Sequence, residues 1–398
     1  MIDSVNCNIN FKGYDARPLY ALVMRNTDGF ALNGITRELR EIGAKHGFKV
    51  LLEDKYSPFE DESLKTDTKK KNISLVQKAS EFISGQNRPY VTSWMQDAIY
   101  FLKGKILVDD CTSSSFDALS ETLGFKKEEV PARNFVAGGN LYILRDGEDE
   151  KILVGKSESI KNVLKMFPNR EIIRLPQADF HIDLFVRPLK ENVVLVADDD
   201  MTLDMLKKAA EKLEELVEQS EGDENLDKAL SRLYGVIGQM EAGRRNSDYR
   251  NTDKVISTLE ENDFKVVRTP GRVYKTRFGF SGYGFSIINK LNYINALVFE
   301  DKNGELCYIS NKSNLDKEIG ITPGLAKKIG LDFEKEFKNA ISPYVKSENV
   351  YFVEGQPQEK NGLSSHIPYL LEKLGGGIHC LCAEISKDTL EEQSCGQL

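Results

Sequence analysis

Residues 180–200 read FHIDLFVRPLKENVVLVADDD. A short polar motif, His181-Ile182-Asp183, opens an apolar run that ends near Pro188. Lys190-Glu191-Asn192 then supplies a turn, and a second apolar run ends in Asp198-Asp199-Asp200. Short apolar runs bounded by turn residues read as two strands paired through a hairpin. His181 and Asp183 lie two apart on the first expected strand, so both project from one face at its mouth.

The same grammar recurs along the chain. TSWMQDAIYFLKGKILVDD (92–110), FVAGGNLYILRDGEDEKILVG (135–155), FSIINKLNYINALVFED (285–301) and GGGIHCLCAEIS (375–386) each run from a polar or Gly-rich motif into an apolar strand. Lys103-Gly104, Asp146-Gly147 and Asn303-Gly304 are further hairpin turns. Helical spacing intervenes at 31–47, 74–84, 158–166, 325–341 and 364–374, and residues 48–52 alternate as a strand. Residues 55–71 are polar and charged and read as a solvated loop. β-rich units each followed by a helix predict an α/β ring of repeats rather than an open doubly wound sheet. Residues 202–241 break this rhythm with two amphipathic helices around Gly222-Asp223, a helical hairpin whose charges suit a solvated outer face. A cap over an active site is the sharper reading of that hairpin.

Composition excludes several classes. The chain has 398 residues, enough for a large core, and its net charge of -8 with no dominant basic run argues against a surface that tracks nucleic-acid phosphates. A mildly acidic protein attracts cationic small molecules or basic peptides. Six scattered cysteines without paired CxxC spacing suit free thiols in a reducing compartment. The first residues lack a basic-then-apolar signal pattern and no uncharged apolar run is long enough to span a bilayer, so the expected location is cytoplasmic and away from membranes.

Four motifs carry polar chemistry: Trp94-Met95-Gln96-Asp97, Gly138-Gly139-Asn140, His181-Ile182-Asp183, and Gly375-Gly376-Gly377-Ile378-His379-Cys380. Glycines before Cys380 allow close backbone approach to a ligand, and a Cys with a distant His is a nucleophile signature when the fold unites them. In this order, the motifs resemble those of the pentein superfamily of guanidine-modifying enzymes: W-x-[RQ]-D, GG[ND], H-x-D and G-G-x-H-C. The likeness covers about residues 90–200 and 265–386; FVRP at 185–188 is similar to agmatine deiminases, and the Gln of WMQD to peptidyl-arginine deiminases.

The resemblance implies a five-bladed α/β propeller of ββαβ units, one catalytic domain over residues 1–398 with a helical insertion at 202–262. It implies Cys380 as nucleophile, His181 as acid/base, and Asp97 and Asp183 as guanidinium clamps, with Trp94, Asn140 and Gly377 in the substrate site. No cofactor or metal is expected; Asp198–Asp200 suits a solvated loop better than calcium, although some relatives use that ion. The expected reaction is deimination of an arginine-type guanidinium. Ala137 stands where free-arginine and agmatine deiminases carry an acidic residue, which favours peptidyl-arginine. Agmatine or free arginine, and amidino transfer on the same residues, are the alternatives, with a non-catalytic binding role behind them. Cys382 is expected to pack. His379 should point to the opposite face of a strand from Cys380, and His46 and His366 are structural. Arg187, Arg244, Arg245 and Arg272 are candidates for a substrate carboxylate.

Overall fold

The computed structural model describes residues 16–25, 33–53, 94–110, 113–146, 149–220, 222–244, 251–278, 285–356, 367–368, 371 and 376–394. The expected loop at 55–71, the helix at 74–84, most of that at 364–374, and Gly147, Arg245, His366 and Gly375 lie outside the described residues.

Among the described residues the chain is a mixed α/β structure of small sheets. Each of five three-stranded sheets has a central strand with an antiparallel neighbour on one side and a parallel one on the other, and in four of them the antiparallel pair is a hairpin. Strands β3 (Ile99–Leu102), β4 (Lys105–Asp109) and β5 (Lys126–Val130) form one. Strands β6 (Leu141–Asp146), β7 (Asp149–Gly155) and β8 (Glu171–Leu175) form the next. β9 (Val186–Pro188), β10 (Val193–Ala197) and β11 (Lys265–Thr269) follow, then β14 (Leu297–Glu300), β15 (Leu306–Asn311) and β16 (Val350–Val353). The remaining sheet joins the two ends of the chain: β17 (Ala383–Ser386) pairs antiparallel with β1 (Leu19–Arg25), which runs parallel to β2 (Lys49–Glu53). β12 (Arg272–Phe278) and β13 (Phe285–Asn292) make a separate two-stranded sheet.

Local patterning explains these elements. β10 is Val-Val-Leu-Val-Ala and buried throughout, as a strand covered on both faces must be. A parallel third strand cannot follow a tight turn, so each hairpin is separated from it by a crossover containing helix, such as Ile160–Met166 between β7 and β8. The expected helix at 31–47 is α1 (Asn33–His46). The one expected at 325–341 is two, Pro323–Lys328 and Phe333–Ile341, because Gly330 at φ 82° ends the first and Asp332 caps the second.

The hairpin at 202–241 is α-helix Asp199–Gln219 followed by Glu224–Arg244. Its charged positions face outward. Its inner face (Leu206, Leu213, Leu233, Ile237 and Met240) belongs to the largest hydrophobic core, packed against β12. The helix Asn251–Glu261 follows and occupies, before β11, the place that Ile160–Met166 holds before β8. The three aspartates at 198–200 are not a solvated loop. Asp198 caps the first hairpin helix, accepting from the N–H groups of Asp200 and Met201, and acids in a first turn suit the helix dipole. Among the described residues no helix is long and apolar enough to cross a membrane.

Candidate functional site

The four motifs do not begin on strands. Each is a single helical turn placed just before the first strand of a sheet: Met95–Asp97 before β3, Gly138–Asn140 before β6, Ile182–Leu184 before β9, and Ile378–Leu381 before β17. Such a turn leaves backbone N–H groups free to point at neighbouring motifs. The fifth sheet has its own counterpart, the bend Tyr293–Ala296 ahead of β14.

Close glycine packing draws the turns together. A Cβ on Gly138 would sit 1.9 Å from the Gln96 carbonyl oxygen, and one on Gly139 2.5 Å from His181 Nδ1 and 3.2 Å from Asp183 Oδ2. The Gly139 N–H donates to Asp97 Oδ1 at 3.1 Å. Half-buried Trp94 lies over Gly376, whose absent Cβ would be 2.9 Å from the indole and 3.2 Å from Cys380 Cβ. His181 is partly exposed at the edge of the cluster, in ring contact with Phe180.

Asp183 is the hub. Its Oδ2 accepts from Asn295 Nδ2 at 2.8 Å and from Cys380 Sγ at 3.3 Å, and lies 2.8 Å from His379 Nδ1. Its Oδ1 is buried and has no hydrogen-bond partner among the described residues. His379 therefore departs from the expectation. It sits on a one-turn helix rather than a strand, so the two-residue alternation that would turn it away from Cys380 does not apply.

Asn295 belongs to none of the four motifs. Its Oδ1 accepts from the Gly377 and His379 N–H groups at 3.1 and 3.2 Å, while Nδ2 reaches Asp183 and, at 3.2 Å, Cys380 Sγ. Backbone N–H groups only donate, which fixes the amide's orientation. Asn292 holds the bend by accepting from Ile294 and Asn295, and Asn311 ties it to the Cys380 turn through Ile378 N at 2.8 Å. The available signal was positional: asparagines at 292 and 295 precede an apolar strand, where the other units carry their motifs.

Electrostatics follow from burial. Desolvation pushes the Asp97 carboxyl up, opposed by His181 and the Gly139 N–H. Burial, followed by the charges of Asp183 and Asp97, pushes the Cys380 thiol well above its ordinary range, with Asn295 pulling the other way. Without a cation nearby the thiol is held neutral.

The remaining candidates are placed as follows. Asn140 is buried, and its amide is committed to the protein. Nδ2 donates to Ser157 Oγ and Glu158 Oε1, while Oδ1 accepts from Gln177 and the Ile182 N–H. It braces the His181 turn rather than offering its amide to a substrate. Gly377 is buried and also anchored, through its N–H to Asn295. Arg187 and Arg272 are fully buried, on Glu384 at 3.4 Å and on Asp179 at 2.6 Å, and Arg244 pairs with Asp200. None of these three is poised for a carboxylate. Asp198 also pairs with Arg268, and Asp199 accepts from Tyr274, so these aspartates have partners within the protein. Cys382 is buried, as a packing residue would be.

No family model and no curated protein matches the chain. Among solved structures it is similar to a C. jejuni agmatine deiminase, at 14% identity over 94% of this chain and 95% of the other, with a TM-score of 0.48. It is likewise similar to a cysteine-to-serine variant of C. jejuni agmatine deiminase with substrate bound, at 12% identity over 95% and 96% of the two chains and a TM-score of 0.48.

Proposed function

We propose that the chain is a cysteine-dependent deiminase acting on a small guanidine without a carboxylate, of the agmatine type. The observation that carries this reading is the Asp183 carboxylate beside Cys380: Oδ2 is saturated by three neighbours, while buried Oδ1 has no donor among the described residues. A lone buried acceptor costs roughly 1–3 kcal/mol until a donor arrives. A guanidinium supplies both the charge and the planar N–H fork that Asp183 and Asp97 lack.

In this reading the cation enters between Asp97 and Asp183 and cancels the field that keeps Cys380 neutral. The thiol gives up its proton to His181, and Sγ attacks the guanidinium carbon. His181 protonates the departing nitrogen, ammonia leaves, and a thiouronium remains on Sγ. His181 then takes a proton from water, whose oxygen bonds the same carbon. The C–S bond breaks, releasing a ureido product and the thiol. His379 and Asn295 hold the Asp183 carboxylate for this work. We read the five three-stranded sheets as propeller blades of one domain, with the motif turns gathered at one end.

The described arginines support this choice of substrate: Arg187 and Arg272 are buried on Glu384 and Asp179, and Arg244 pairs with Asp200, while Arg245 lies outside the described residues. The peptidyl-arginine expectation rested on Ala137, with the Gln96 likeness beside it, and no feature of the site adds to it.

The test is a ureido-product and ammonia assay on agmatine, free arginine and an arginine-rich protein, with and without an amine acceptor, against Cys380→Ala. Agmatine turned over faster than arginine supports the reading. Turnover of protein alone would reassign the substrate, and product formed only with added amine would make the reaction amidino transfer. Folded protein inert toward all three sinks it.

A further inference from the structure

At the far end of β15 from the candidate site lies a second cluster of reactive side chains. His46, the last residue of α1, places Nδ1 3.2 Å from Asp301 Oδ2 and 3.3 Å from Cys307 Sγ. The three donor atoms lie within 4.8 Å of one another, and the residues are 4%, 6% and 0% exposed. Cys307 is four strand positions from Asn311, or about 13 Å at strand rise, so this cluster is distinct from the one around Cys380.

We propose that His46, Asp301 and Cys307 form a binding site for a divalent transition metal, zinc in chemical class. Zinc bond lengths of about 2.0–2.3 Å in a tetrahedron put N···O near 3.4 Å and N···S near 3.6 Å, within a few tenths of the separations here. The donor set of one thiolate, one imidazole and one carboxylate suits borderline-soft zinc better than calcium or magnesium, which take oxygen alone. Charge also closes. On binding, the Cys307 thiol releases one proton to solvent, and the thiolate with the Asp301 carboxylate offsets the two positive charges of the ion. The result is a neutral buried unit.

The surroundings fit a ligand role. His46 Nε2 lies 2.7 Å from the Tyr351 hydroxyl, the kind of contact that fixes the tautomer of a metal-binding imidazole and leaves Nδ1 free for the ion. Asp301 is oriented by the N–H groups of Asn303 and Glu305, at 2.8 and 3.0 Å. A metal here would pin the end of α1 to β15 and the loop after β14, a staple between early and late parts of the chain.

The experiment is elemental analysis of full-length protein purified without chelator, together with zinc titration of the stripped protein. Conservative Cys307→Ser and His46→Gln variants serve as controls. The expected result is one zinc per chain at a Kd tighter than about 0.1 µM, greatly reduced in both variants. A thiolate-to-cobalt charge-transfer band should appear on cobalt substitution and vanish in Cys307→Ser. Chelation should lower the wild-type Tm, an observation independent of whether the variants fold. Wild-type protein that takes up no zinc, or variants that hold as much as wild type, overturns the proposal; the three residues would then be a hydrogen-bonded structural triad.

Discussion

Asn295 donates to Asp183 Oδ2 at 2.8 Å across 112 residues of chain, and the same nitrogen reaches Cys380 Sγ at 3.2 Å. One amide therefore joins the carboxylate to the thiol, while its oxygen fastens the turn that bears the thiol. Asn295→Ala removes all of these bonds. We expect kcat on agmatine to fall about 10–100-fold, on the scale of one to three kcal/mol per unsatisfied buried group. Asn295→Asp adds a third negative charge beside Cys380 and should fall further. Steady-state kinetics with circular dichroism checks both; unaltered kcat in a folded Asn295→Ala protein removes Asn295 from the site.

Asp183 raises the affinity of Cys380 for its proton. Asp183→Asn should therefore lower the thiol pKa. The rate of iodoacetamide inactivation against pH, read in ligand-free protein, should move its midpoint to lower pH even though turnover is lost. A midpoint that stays or rises would show that burial alone holds the thiol neutral.

Gly138 and Gly139 separate stability from activity. Alanine at 138 collides with backbone at Gln96, which cannot move without displacing the turn, so several kcal/mol of stability and a clear drop in Tm are expected. Alanine at 139 meets the His181 ring and the Asp183 carboxylate. The ring can swing outward because it is partly exposed, so Tm should change little while activity falls at least tenfold. Calorimetry and kinetics on the two variants test the contrast; equal loss of Tm in both would refute it.

Asp199 is pushed up to about 6 by burial, against the opposing pull of Arg272. A raised folded-state carboxyl contributes its stability fully below the ordinary value of 3.8, and that contribution is lost as pH rises through about 6. Neutral Asn at this position escapes the loss. The Tm difference between Asp199→Asn and wild type should therefore move in favour of the variant from pH 4 to pH 7. A difference flat across that range is the contrary result.

Arg272 lies fully buried between Asp179 and Asp199. Arg272→Met leaves two buried carboxylates without their cation and should cost about 3–5 kcal/mol. Denaturant unfolding measures it. Because Asp179 precedes His181 by two residues, a loss of activity larger than the loss of folded protein would further tie this ion pair to the placement of the histidine.

Local patterning made much of the fold legible. The helix at 33–46, the hairpin turns at Lys103-Gly104 and Asn303-Gly304, and the two long helices after Asp198 all follow from spacing and turn chemistry within a few residues. Misreadings arose where a side chain's role depended on distant partners. The polar motifs read as strand mouths but are helical turns, because glycine packing between turns at 96, 138 and 181 selects that shape. Arg187 and Arg272 read as candidates for a substrate carboxylate, yet they are buried on Glu384 and Asp179, 197 and 93 residues away.

The sequence by itself determined the chemical inventory: a thiol after glycines, a His-x-Asp pair, a second aspartate and the order in which they appear. It also set the strands and helices that carry them, since hydrophobic period and turn residues act over short range. Only the tertiary structure decided that one oxygen of Asp183 receives Asn295, His379 and Cys380 while the other receives nothing among the described residues. These contacts close loops of more than a hundred residues, where no periodicity reaches. They form because joining β1 to β17 and packing the turns against one another leaves those groups no other place to be.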